Sequence, residues 1–325
     1  MNIFNKFRPS GFLEIAFFLL LCGSLKAAAP GILIQNGQKI GFMGDSITAQ
    51  ANAPDGYIGL VIYGLKVEGV EATPIPAGVP GHTSGNMKGR VGPQILDQGA
   101  NWMTLSCGVN DVMMQKKGRG VDLDTYKKNV TGMVEACLAK NVKVILMTAT
   151  PLGEDPAEEM NVQLATYNDF LRGYAKEKNL PLADVNGAFL DFLKTNPDAS
   201  EVVGKRLLAD GVHPNKVGQS LMAKALLVAM GVPSSDIAKI EKAWMDNPAG
   251  KGIKLSGGVV VLISPAQYQA LVKMSKGHPG SVPAVIGQLW DRAVAESQKA
   301  GDAKADPQAK LGALVDEYIK KSGFH

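Results

Sequence analysis

Short apolar runs alternate with helix-length amphipathic segments from residue 39 to residue 230, and this alternation leaves few folds open. Val142–Thr148 is a solid hydrophobic run of the kind buried on both faces of a parallel sheet. Lys39–Met43 and Trp102–Cys107 read as further strands, and Leu180–Val185 as a short fifth. Val70–Ala77 is a poorer strand, broken by Pro74 and Pro76, which points to a sheet edge. Between the strands, Tyr57–Lys66 reads as a helix. Tyr126, Val130, Met133, Val134, Cys137 and Leu138 share one helical face, as do Leu164, Tyr167, Phe170, Leu171 and Tyr174. Val217–Met230 closes the pattern. Strands and helices at this spacing need crossover connections, hence a parallel sheet with helices on both faces. The expectation is a three-layer α/β/α domain over residues 30–232.

Both ends of the chain depart from this pattern. Lys6 and Arg8 form a basic start, Ile15–Gly23 an apolar stretch, and Ala27-Ala28-Ala29-Pro30 a run of small residues. Such a layout is that of a cleavable secretory signal over residues 1–29. The apolar stretch falls short of the ~20 residues that a membrane-spanning helix needs, and Glu14 precedes it. Lipid attachment at Cys22 is disfavoured by the bulky Leu21 before it. The expected location is therefore secreted or periplasmic, with no stable membrane span after signal removal. Residues 233–325 form an extension in which Ile237–Trp244, Pro283–Ala295 and Leu311–Ile319 look helical and Val259–Ile263 strand-like. Gly250, Gly252, Gly257 and Gly258 read as a loop between them. Trp244, Tyr268, Trp290 and Tyr318 stand at helical spacing, as core residues do, and no chemical motif is evident there.

Charge narrows the function. Loss of residues 1–29 removes Lys6, Arg8, Lys26 and Glu14, taking the net charge from +4 to +2. With no dense Lys/Arg stripe, a nucleic-acid partner is excluded. Cys107 and Cys137 lie on apolar segments and read as buried free thiols, although an oxidising compartment would permit a pair. No cysteine spacing suits a zinc site.

In open α/β sheets ligands bind beyond the carboxyl ends of the strands, so the loops at those ends carry the chemistry. The first strand is followed by Gly44-Asp45-Ser46-Ile47-Thr48, the second by Gly78-Val79-Pro80-Gly81-His82-Thr83, and the third by Gly108-Val109-Asn110-Asp111. Asp210-Gly211-Val212-His213-Pro214 comes later, after the fifth strand and a helix. Ser46 would open a helix with its hydroxyl exposed. A serine hydroxyl is a weak nucleophile that needs a base within hydrogen-bond reach. His213 suits that role, with Asp210 three residues earlier to accept from its other ring nitrogen. Acyl transfer also needs donors for an oxyanion: the Ser46 amide, the Gly81 amide and the Asn110 side chain are suitable. His82 has an equal positional claim as base but no acid three residues away. It is carried instead as a substrate-binding candidate.

The blocks GDSIT, Gly81, GVND and DGVHP together resemble the signature blocks of the SGNH hydrolases, the GDSL-type esterases and lipases, over about residues 38–231. The resemblance implies a flavodoxin-like fold and ester hydrolysis through an acyl-serine intermediate, without metal or other cofactor. It implies Ser46 as nucleophile, Asp210 and His213 as acid and base, and Gly81 and Asn110 at oxyanion positions. The second block is rich in proline, so Gly78 or Gly85 could match in place of Gly81. Removal of short acyl groups, acetyl first, from a saccharide is the expected activity. A lysophospholipase or thioesterase, or an inactive carbohydrate-binding relative, are the alternatives.

Overall fold

The structure is a computed structural model describing residues 31–196, 206–246, 251–254, 260–263, 265–274, 282–299 and 307–322. The expected signal, its cleavage site and Cys22 lie outside these residues.

Five strands form one parallel sheet: β1 (Lys39–Gly44), β2 (Thr73–Gly78), β3 (Trp102–Ser106), β4 (Lys143–Met147) and β5 (Leu182–Ala183). Their spatial order is β2-β1-β3-β4-β5, that of the flavodoxin-like fold which the family resemblance implies. Among the described residues the helices are α1 (Ser46–Gln50), α2 (Tyr57–Val67), α3 (Ser84–Lys88), α4 (Val109–Met113), α5 (Leu123–Leu138), α6 (Glu159–Glu177) and α7 (Val185–Thr195). Then come α8 (Lys216–Ala229) and α9 (Ile237–Asp246). Helices α2, α7, α8 and α9 pack together as one layer, and α3, α4, α5 and α6 as the other. β1 is the switch point, with β2 on one side and β3 on the other, so the loops after β1 and β3 face a common crevice.

The edge position of β2 explains its two prolines. Pro74 and Pro76 lie opposite Ile40 and Phe42. The flanking amide of Thr73 donates to the Gln38 carbonyl (2.9 Å), and that of Val79 to the Gly44 carbonyl (3.1 Å). Odd-numbered residues of β2 thus turn their amides toward β1. The missing N–H groups of the prolines fall on the open side.

Most of the expected helical faces are buried, including Tyr126, Val130, Met133, Val134 and Cys137 on α5. Leu138 is an exception at 45% exposure. Twelve residues after Tyr126 it has rotated by about 120° around the helix, to the margin of the apolar stripe. β5 is shorter than Leu180–Val185 because Asp184 already caps α7, its carboxylate accepting from the Gly187 amide (3.0 Å). β2 begins at Thr73, later than the expected Val70. Cys107 and Cys137 are buried free thiols.

In the C-terminal extension, β6 (Lys251–Lys254) and β7 (Val260–Ile263) form an antiparallel pair, followed by α10 (Pro265–Met274), α11 (Val282–Lys299) and α12 (Pro307–Lys321). β6 falls where the glycines suggested a loop. Its lysines and glycine carry no apolar alternation, and pairing with the apolar β7 makes it a strand. This part has its own apolar cluster around Ile263, Ile286, Leu311 and Val315. Trp244 belongs to the main core, its indole N–H donating to the Leu60 carbonyl (2.9 Å), whereas Tyr268 and Trp290 pack against the second cluster. Tyr318 is exposed. Among the described residues no helix is long and apolar enough to cross a membrane.

Candidate active site

The chain leaves β1 at Gly44 and starts α1 two residues later. Asp45 is the N-cap: its carboxylate accepts from the Ile47 amide (2.9 Å). Ser46 is the first residue of the helix, half-buried, and its own amide donates to no protein acceptor among the described residues, as is usual in a first turn. α1 sits tightly against the end of β2. A Cβ built on Gly78 would lie 2.2 Å from the Ala49 nitrogen, so only glycine lets the two backbones meet. On the other side, the Thr48 and Tyr57 hydroxyls are bonded to each other (2.9 Å), and the Tyr57 amide donates to Gln219 of α8 (2.8 Å).

Across the crevice, the segment between α7 and α8 delivers His213. Its Nε2 lies 2.9 Å from the Ser46 hydroxyl, and its Nδ1 lies 2.7 Å from an Asp210 carboxylate oxygen. The other Asp210 oxygen accepts from the backbone amides of Val212 (2.9 Å) and His213 (2.8 Å). These contacts to His213, backbone first and ring second, hold the Asp210 carboxyl at about 2, well below the usual carboxylate range. The segment is anchored from beneath by Glu154. Its buried carboxylate accepts from the amides of Leu207 (2.6 Å), Leu208 (2.9 Å) and Arg206 (3.1 Å). Burial pushes Glu154 up, but these backbone bonds outweigh it and the group stays below its ordinary value.

Two further loops reach the same crevice. Gly81 adopts φ +77°, a conformation that favours glycine, and its amide too donates to no protein acceptor among the described residues. Of the alternatives from the sequence, Gly78 is wedged under α1 and Gly85 lies within α3. Asn110, on the first turn of α4, is buried. Its side-chain amide donates to the His82 carbonyl (3.1 Å) and to Asp45 (3.3 Å). The structure therefore brings Asn110 and Asp45 together, and Ser46, His213 and Asp210 into one hydrogen-bonded series. His82 is not in that series: its Nδ1 accepts from the Arg90 Nε (3.1 Å).

The sequence profile of the GDSL-like lipase/acylhydrolase family matches residues 42–221, more than half of the chain. The protein belongs to this family. It is accordingly a carboxylic ester hydrolase. An acetylxylan esterase from Geobacillus stearothermophilus is 28% identical over 216 residues, covering 61% of this chain and 96% of that protein. The crystal structure of Axe2, an acetylxylan esterase from the same organism, superposes with a TM-score of 0.56 at 25% identity, over 62% of this chain and 97% of that one. LAE5, an alpha/beta hydrolase enzyme from the metagenome of Lake Arreo, shares the fold with a TM-score of 0.55 at 24% identity, over 62% of this chain and 98% of its own.

Three buried charges of this GDSL-like site lie outside the residues singled out from the sequence. Asp45 is raised to about 6, first by burial and further by the nearby Asp111 carboxylate, against the pull of its Ile47 bond and of His213. Asp111 is also raised by burial, while it accepts from the Ser84 amide (3.0 Å) and hydroxyl (2.5 Å) and so fastens α3 to α4. Arg90 is buried beneath the rim. Nothing in a lone arginine twelve residues past the end of β2 marks it as part of a site. The available signals are local: Asp45 stands inside the Gly44-Asp45-Ser46 block, and Asp111 follows Asn110 like an N-terminal helix carboxylate.

Proposed function

We propose that this protein is an exported serine esterase that removes short acyl groups, acetyl first among them, from saccharides. The observation that carries the reading is the uninterrupted series from Asp210 through His213 to the Ser46 hydroxyl, at 2.7 and 2.9 Å. In it, His213 takes the Ser46 proton as the hydroxyl oxygen attacks the ester carbonyl. Asp210 keeps the imidazole in the accepting tautomer and stabilises the imidazolium that forms. The oxyanion receives hydrogen bonds from the Ser46 and Gly81 amides and the Asn110 side chain. His213 then protonates the departing alcohol, and water repeats the cycle to release the acid and free Ser46.

The similar proteins support the choice of acetyl. The curated relative is an acetylxylan esterase. Solved catalytic mutants of Axe2 replace a serine, an aspartate and a histidine by alanine, the last two three positions apart, as Asp210 and His213 are. Export rests on the N-terminal pattern of charge, apolar stretch and small residues.

A series of esters differing only in acyl length tests the substrate. Each added methylene is worth about 0.8 kcal/mol in an apolar pocket. The proposal expects kcat/KM to be highest for acetyl and to fall as the chain lengthens. A preference for eight carbons or more would replace it with a lipid acyl hydrolase.

A further inference from the structure

One guanidinium touches the segments that lead to two oxyanion donors, Ser46 and Gly81, and a histidine whose carbonyl holds the third, Asn110. Arg90 follows α3 and turns back beneath the sheet rim, where it is 8% exposed. One terminal nitrogen donates to the Gly44 carbonyl (2.5 Å), two residues before Ser46. The other donates to the Ala77 carbonyl (2.6 Å), four residues before Gly81, and to Gln94. Its Nε donates to Nδ1 of His82 (3.1 Å), whose backbone carbonyl in turn accepts from the Asn110 side-chain amide (3.1 Å).

We propose that Arg90 is a positioning residue for the oxyanion hole: it clamps the ends of β1 and β2 together and, through His82, fixes the Asn110 amide. The inference rests on the serine-esterase reading above. No single backbone bond could do the same work, because the three donors sit on three loops. A planar fork with donors in fixed directions can satisfy two strand-end carbonyls and one ring nitrogen at once, whereas an ammonium cannot. The Gly44 carbonyl also takes the Val79 amide (3.1 Å), so the end of β1 is bonded both to the segment after β2 and to Arg90.

The contact also defines His82. The Arg90 Nε–H can only donate, so Nδ1 of His82 is a lone-pair acceptor and the ring proton resides on Nε2. Burial first, and the adjacent guanidinium second, push His82 below its ordinary value and so keep the ring neutral. His82 is thus held as a neutral prop between Arg90 and Asn110, which explains why it takes no part in the series that ends at Ser46.

Steady-state kinetics on Arg90→Ala and Arg90→Lys test this, with kcat expressed per titrated serine so that loss of folded protein does not count. Oxyanion donors act on the transition state more than on bound substrate. Arg90→Ala should therefore lower kcat by about 100-fold, with KM within about twofold of wild type. Arg90→Lys should recover part of that loss, since an ammonium reaches one carbonyl but not all three partners. In parallel, nitrogen NMR of His82 should show the Nε2–H tautomer in the wild-type protein and a mixture in Arg90→Ala. An unchanged kcat per titrated serine, or an Nδ1–H tautomer in the wild type, would overturn the positioning role. If those variants match wild type while Ser46→Ala is dead, the clamp fails alone. If wild type hydrolyses no ester, the esterase reading and the clamp fail together.

Discussion

Asp210 grips His213 twice: one carboxylate oxygen accepts from the His213 backbone amide at 2.8 Å and the other meets its ring Nδ1 at 2.7 Å. The three-residue spacing makes both contacts possible, since the carboxylate closes a short turn through Gly211 (φ +87°) and still reaches the ring. The turn sets where the imidazole stands, and the ring contact sets which nitrogen is free to accept from Ser46.

Asp210→Asn separates these two roles. The amide oxygen can still accept from the turn, but the NH2 group must face Nδ1, which favours the tautomer with its proton on the Ser46 side. The expected result is a loss of about 10⁴-fold in kcat with a nearly unchanged fold, read by kinetics beside circular dichroism. The pH dependence of stability follows with its sign. The Asp210 carboxyl is depressed to about 2, so its contribution is present above the ordinary carboxylate value and lost as pH falls through about 2. Denaturation of wild type and Asp210→Asn should converge between pH 4 and pH 2, both of which are about the limits of that titration.

Asp45 works in the opposite direction. It is buried and raised to about 6, so its contribution to stability is fully present below pH 3.8 and is lost as pH rises through about 6. The shift corresponds to about 3 kcal/mol between the protonation states. Asp45→Asn keeps an acceptor for the Ile47 amide and removes the titration. Urea denaturation at acid and neutral pH should show wild type losing stability relative to this variant on going from pH 4 to pH 7, roughly the span of the shifted titration. A constant difference across that span would count against a raised Asp45.

Gly78→Ala tests the packing that sets α1. The new methyl would stand 2.2 Å from the Ala49 nitrogen and 2.6 Å from the Thr48 carbonyl carbon, both backbone atoms that no rotamer change can relieve. Overpacking of this kind costs about 1–3 kcal/mol or more. Calorimetry should show a lower Tm. Turnover per folded molecule should fall as well, because the strand end and the helix bearing Ser46 must separate.

What could be read from the sequence follows from the range of the forces involved. Apolar runs report burial directly, so β1, β3 and β4 were legible, and the alternating prolines marked β2 as an edge. The loops after the strands were legible because glycine, aspartate, serine and histidine have local reasons to stand in turns. Leu138 was misread because it lies at the margin of a stripe, and β6 because its residues owe their strand form to a partner. Arg90, Asp45 and Glu154 act through partners such as Ala77, Asn110 and Leu207, 13 to 65 residues away, beside contacts nearer in the chain such as His82, and no periodicity encodes them. Likewise, Gly78, Gly81 and Gly85 are indistinguishable as letters. Only the backbone tells the wedged glycine from the one at positive φ.

The most direct measurement is intact-protein mass spectrometry after treatment with a fluorophosphonate, on wild type and Ser46→Ala side by side. The account predicts a single stoichiometric adduct on wild type, mapping to Ser46, and none on the variant, with hydrolysis of an acetyl ester lost in step. An unlabelled wild type, or a variant that is labelled and hydrolyses as fast as wild type, would contradict it.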